Sequence, residues 1–159
     1  MPSMAGTKVS ICTTPQNTDL ANAAAAAALT YVEVGGVGRV GAFGRSTNMI
    51  NYNTLATSTI KKAKGVTDLG SPEIEVEYDA ADAGQDALRV AGASQSNQYV
   101  VRIEGNDTPA TGAAPKPTIR YLRGFIGGPT NSNGGVEDFN LQTFVVGVNQ
   151  LLETEPTAS

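Results

Sequence analysis

Three carboxylates stand at alternate positions in Glu73-Ile74-Glu75-Val76-Glu77-Tyr78. This alternation puts Ile74, Val76 and Tyr78 on one face of a strand and Glu73, Glu75 and Glu77 on the other. Carboxylates so placed lie roughly 7 Å apart, too far to share a proton and too spread for a compact hard-cation cage. A solvated polar face or a functional acidic surface fits that spacing better than a general acid–base pair or a metal site. A second motif, Gly36-Val37-Gly38-Arg39-Val40-Gly41, spells the dinucleotide fingerprint G-x-G-x-x-G. That chemistry needs a helix start at the third glycine and an acid about twenty residues on. Here Ala42-Phe43-Gly44 follows and the later position is Lys61. The glycines read instead as a broken strand or hairpin where backbones approach closely.

The remaining reactive groups are sparse. Lys61, Lys62 and Lys64 form a short basic cluster, and Cys12 is the only cysteine. With no His anywhere, Cys12 has neither a disulfide partner nor zinc co-ligands, and the commonest general base is missing. Trp is absent and only nine residues are Tyr or Phe, too few for a stacking platform. Asn106-Asp107-Thr108 matches a glycosylation sequon, but no secretory signal precedes it. The expectation is a protein without catalytic residues, metal or cofactor.

The chain has 159 residues, 40% hydrophobic and 16% charged, enough for one domain with a real core. Eleven basic residues against fifteen acidic ones give a net charge of −4, so no global positive field holds nucleic acid. No run of eighteen apolar residues is present, and membrane binding is not expected.

Residues 1–28 read as an N-terminal arm: flexible and Pro-containing to about residue 18, then an Ala-rich stretch suited to a short helix or packed arm. Strands are expected at 29–34, 73–78, 98–104, 118–125 and about 139–151, with turns or loops at 65–70, 105–117 and 127–138. Asp82 followed by Gln85 three residues later predicts a capped helix with Leu88 and Ala91 buried, ending at Gly92. Residues 153–159 read as a frayed tail. The fold class is mainly β (α+β): a β-sandwich or barrel over residues 29–152 with one flanking helix and terminal arms. One segment resists assignment. Residues 45–64 are polar and lack a clean period, yet carry Met49, Ile50, Tyr52, Leu55 and Ile60 beside Arg45 and the three lysines.

From about Pro15 to Leu152 the order of elements resembles the major tail tube protein of long-tailed, non-contractile bacteriophages. The most specific stretch runs from Thr54 to Ala91. It holds a polar Ser/Thr and Lys run, the turn Gly65-Val66-Thr67-Asp68-Leu69-Gly70, the alternating strand at Glu73, and the helix start Asp82-Ala83-Gly84-Gln85-Asp86-Ala87-Leu88. Leu29-Thr30-Tyr31-Val32-Glu33-Val34 resembles that family's first strand, whereas the Ala run at 23–28 has no counterpart. The resemblance implies a structural subunit: six copies joined through sheet edges into a ring, and rings stacked into a tube that conducts DNA without binding it specifically. It implies a tape-measure protein inside the tube and terminator and distal tail proteins at its ends. The location implied is the virion tail, after assembly in the host cytoplasm. On this view Arg45, Met49, Ile50, Tyr52, Leu55, Ile60, Lys61, Lys62 and Lys64 belong to an inter-ring loop or hairpin, mobile in the subunit and ordered by stacking. Glu73, Glu75 and Glu77 are candidates for the lumen wall, or equally for an outer or contact face. A phage-derived particle (gene-transfer agent or tailocin) would use the same tube subunit, and a monomeric β-sandwich binding module is the alternative class.

Overall fold

The computed structural model describes residues 6–56, 58–112, 115–132, 135–136 and 138–155. Its elements in order are β1 (Lys8–Cys12), α1 (Ala23–Ala27), β2 (Tyr31–Val34), β3 (Val37–Val40), β4 (Ser46–Tyr52), β5 (Lys61–Asp68) and β6 (Glu73–Glu77). Then follow α2 (Ala83–Ala93), β7 (Tyr99–Glu104), β8 (Ile119–Ser132) and β9 (Leu141–Thr154). Seven strands make one antiparallel sheet in the order β2-β1-β7-β8-β9-β6-β3, while β4 and β5 pair only with each other.

Gly35 and Gly36 alone separate β2 from β3, the two edge strands of the large sheet. So short a link forces the sheet to curl until its ends meet, giving a sandwich-like wrap that stays open because β2 and β3 do not pair. Inside the curl, Val9, Ile11, Ile74, Val76, Val101, Leu122, Phe144 and Val146 form the core, and Leu88 and Ala91 of α2 seal it. Gln85 fastens this closure: its Nε2 donates to the carbonyls of Gly35 and Glu77 (both 2.8 Å), and its Oε1 accepts from the Asp79 amide (2.9 Å). The predicted N-cap is there, with the Asp82 carboxylate accepting from Gly84 N–H at 2.9 Å and from Gly35 N–H at 2.7 Å. Gln85 therefore does not complete a reciprocal capping box; it ties the helix to the two ends of the sheet. Gly84 is needed there, since a Cβ at that position would lie 2.2 Å from the Glu33 carbonyl oxygen.

Several expectations need correction. Residues 1–5 of the expected arm lie outside the described residues, and the rest of it is not an arm: β1 sits between β2 and β7, with Val9, Ser10, Ile11 and Cys12 all buried. Five residues of strand-forming sequence pair on both sides there despite polar flanks. The stretch Leu20–Ala26 docks on the outer face of the sheet, where Cys12, Ala26, Val100 and Tyr121 make a second small core. Arg123, buried in that face, ion-pairs with Asp19 and donates to Gln98 Oε1 at 2.6 Å and Gln150 Oε1 at 3.0 Å. The turn expected at 65–70 is shorter, because β5 runs through Gly65 to Asp68; the reversal falls at Gly70, whose φ of +96° suits glycine. β8 consumes the first part of the loop expected at 127–138, and β9 reaches Thr154 inside the expected tail. The other end of that tail, residues 156–159, lies outside the described residues. α2 continues one residue past Gly92. The unassigned segment 45–64 is the hairpin, not the loop.

Candidate assembly surfaces

The hairpin β4–β5 is a ribbon with no inside. None of its described residues is buried, and Ile50 (56%), Tyr52 (67%), Leu55 (fully) and Val66 (80%) expose large apolar side chains. Opposite residues in an antiparallel pair share a face. Met49 with Lys64 and Asn51 with Lys62 therefore form one face, and Ile50 with Ala63 and Tyr52 with Lys61 the other. A bulge opposite Asn48 breaks the register between Thr47 and Met49, and the Thr47 and Thr67 hydroxyls meet at 3.0 Å. Arg45, Lys61, Lys62 and Lys64 are exposed and make no ion pair among the described residues. Residues 45–67 carry those four cations and no acid, leaving seven basic and fifteen acidic residues in the rest of the chain. An isolated two-stranded hairpin is only marginally stable in water.

Two strand edges are also open. β7 pairs with β8 only as far as Gly124, whereas β9 follows β8 to Ser132. Among the described residues β8 beyond Gly124 therefore has a strand on one side alone, with Gly92 of α2 close against Gly128. β3 pairs only with β6. The two edges bound one four-stranded patch, β3-β6-β9-β8. Nothing in the sequence marks the β8 edge except exposed Phe125 beside Gly127 and Gly128, a signal that reads equally well as a loop.

The outer face of that patch carries the acidic row. Ile74 and Val76 are buried, as alternation requires, and Tyr78 lies just beyond β6 and is partly exposed. Arg39, on β3, reaches Glu73 at 3.3 Å and Glu75 at 3.9 Å. These are solvent-exposed pairs and contribute little to stability. Glu77 makes no ion pair among the described residues. The glycine run meets no helix N-terminus: its middle is β3, with Gly36 at φ +72° before it. No group of three or more His, Cys, Asp or Glu among the described residues is arranged to hold a metal, and no described helix is long and apolar enough to cross a membrane.

Perturbed titrations fall away from these surfaces. Burial pushes the Tyr31 phenol up beneath the docked N-terminal segment, Cys12 and Tyr121 add to the rise, and Arg102, stacked 4.6 Å over the Tyr31 ring, opposes it. Asp107 is held below the usual carboxylate range by the Thr118 hydroxyl (2.6 Å), then by the Thr118 amide (2.8 Å). What the molecule offers is edges and a ribbon.

No protein-family model matches the chain, and no curated protein sequence matches it. Solved structures do. A chain of the anti-feeding prophage baseplate, described as 6-fold symmetrised, superposes with a TM-score of 0.67 at 10% identity over 98% of this chain and 97% of its own. A chain of the sheath/tube terminator of an extracellular contractile injection system gives 0.65 at 11% identity over 96% and 95%. The SPP1 tail tube gives 0.65 at 17% identity over 96% and 80%. Contractile systems stand among these neighbours, so the fold does not single out the non-contractile tails. The chain has the tail-tube fold, a mainly β sandwich-like sheet with few helices.

Proposed function

We propose that this protein is the structural subunit of a tube. Copies join edge to edge into a six-membered ring, rings stack, and the bore passes DNA. The observation that carries this reading is the ribbon β4–β5, whose large apolar side chains stay more than half exposed in their own subunit. The edge of β3 and the distal edge of β8 bound one continuous patch, so pairing one with the other on a neighbour extends the sheet around a closed ring. The six-fold symmetrised baseplate neighbour supports the ring number.

In this reading the acidic face bearing Glu73, Glu75 and Glu77 lines the bore. The docked N-terminal segment already covers the other half of the outer sheet face, which leaves this patch as the free one. Six copies sum to a charge of about −24, which repels phosphate rather than gripping it. A tape-measure protein inside the growing tube and terminator and distal proteins at its ends complete the assembly. The full-length likeness to chains of a prophage baseplate and of an injection-system terminator favours a second version of the reading, a phage-derived particle with the same tube subunit.

Size-exclusion chromatography and negative-stain imaging of the purified protein test the proposal together. Rings or tubes are expected. A folded chain that stays monomeric at millimolar concentration overturns the tube reading, and a map with the three glutamates on the outer wall overturns their assignment to the bore.

A further inference from the structure

β3 and β6 run side by side through the open patch, and the hairpin leaves from one end of that pair, between Val40 and Glu73. At the other end lies a groove of about 330 Å³ whose walls include Val37, Leu141 and Phe139 and whose rim carries Glu75 and Glu77. Phe139 is largely exposed, and Leu141 stands opposite Glu77 on the same face of the sheet. The molecule thus presents a basic, apolar ribbon at one end of these strands and an acidic-rimmed apolar groove at the other.

Resting on the tube reading above, we propose that the groove at the Glu77 end of β3–β6 receives the hairpin of the next copy along the tube. Leu55 at the hairpin tip reaches Phe139, and Lys62 and Lys64, which share one face of the ribbon, face Glu75 and Glu77. Three observations select a second copy as the occupant. The charges are complementary: residues 45–68 carry four cations against the single acid Asp68. They face a groove lined by Glu75, which Arg39 reaches at 3.9 Å, and Glu77, which has no ion pair among the described residues. Both partners expose apolar side chains that their own subunit leaves uncovered. The seven residues of β4 extend roughly 20 Å, enough to leave the subunit that bears them. Donor and acceptor sites lie at opposite ends of one strand direction, so the contact is heterologous and, with the ring already closed through the sheet edges, repeats from ring to ring along the tube. The same arrangement puts the Glu77 end of the acidic face at the mouth of the bore, where one ring meets the next.

A charge-exchange pair tests this. Variant one carries Lys62→Glu and Lys64→Glu, so its docking face and its groove are both acidic. Variant two carries Glu75→Lys and Glu77→Lys, so both are basic. Each alone should elongate with a critical concentration raised roughly tenfold or more, because like charges oppose the contact. An equimolar mixture should restore tubes, since each ribbon then finds a groove of opposite charge. Variants that elongate alone like the parent, or folded variants that stay unassembled when mixed, overturn the docking. In either case wild-type tubes leave the tube reading standing, whereas a wild-type chain that never assembles overturns both. A second measurement guards against misfolding: Leu55→Cys mixed with Phe139→Cys should give an oxidised dimer on assembly, Cys12 being buried. No cross-link in assembled tubes overturns the proposal.

Discussion

The seven-stranded sheet and the β4–β5 ribbon come from one chain and use the same strand chemistry, yet they divide their apolar side chains in opposite ways. In the sheet, Phe144, Ile74, Val76 and Val146 lose all contact with solvent. In the ribbon, Ile50, Tyr52 and Met49 remain more than half exposed. Burial on one face is what stabilises a sheet by itself, at about 25 cal/mol per Å² of apolar surface removed from water. The ribbon has little of that contribution, so on the tube reading its stability comes from a neighbouring copy. On that reading the labour is divided: the sheet folds the subunit and the ribbon assembles it.

Truncation on the two sides should therefore separate stability from assembly. Phe144→Ala should cost about 3–5 kcal/mol of subunit stability by urea titration, because it empties the centre of the core. Gln85→Ala should come next, at about 1–3 kcal/mol, since it strands the Gly35 and Glu77 carbonyls and the Asp79 amide at the sheet's closing point. Asp82→Ala should lose about 1 kcal/mol by removing the α2 cap. The double change Ile50→Ser and Tyr52→Ser should move subunit stability by less than about 0.5 kcal/mol while abolishing elongation in a light-scattering assay. If that variant unfolds instead, the ribbon belongs to the fold and the comparison fails.

The smallest effect is a pH dependence. Asp107 titrates below its unfolded value because Thr118 donates to its charged form. Its contribution is therefore complete above the ordinary carboxylate range and is lost as pH falls through the lower, folded value. Thr118→Val should remove that acid-limb contribution, read as a flatter stability–pH profile below the ordinary carboxylate range.

What the sequence made legible follows the same division. Alternation is visible only where one face is buried, so β6 with its glutamates was plain, as were the Asp82 cap and the buried Leu88 and Ala91. The ribbon buries neither face, so Met49, Ile50 and Tyr52 show no period and the segment read as a choice between loop and hairpin. β1 was hidden because its five residues are flanked by Gly, Thr, Ser and Pro, and its place between two strands depends on partners far along the chain. The pairing of Arg39 with Glu73 and Glu75 arises from a β3–β6 register that no local spacing announces. The free edge of β8 is likewise a matter of how far β7 and β9 each extend.

Hydrogen exchange, compared between the isolated subunit and the assembled tube, tests the division of labour most directly. The account predicts that amides of Tyr99–Glu104, at the centre of the sheet, exchange slowly in both states. Amides of Ser46–Tyr52 and Lys61–Asp68 should exchange rapidly in the subunit and become protected on assembly. Equal protection of the ribbon in both states would contradict the account.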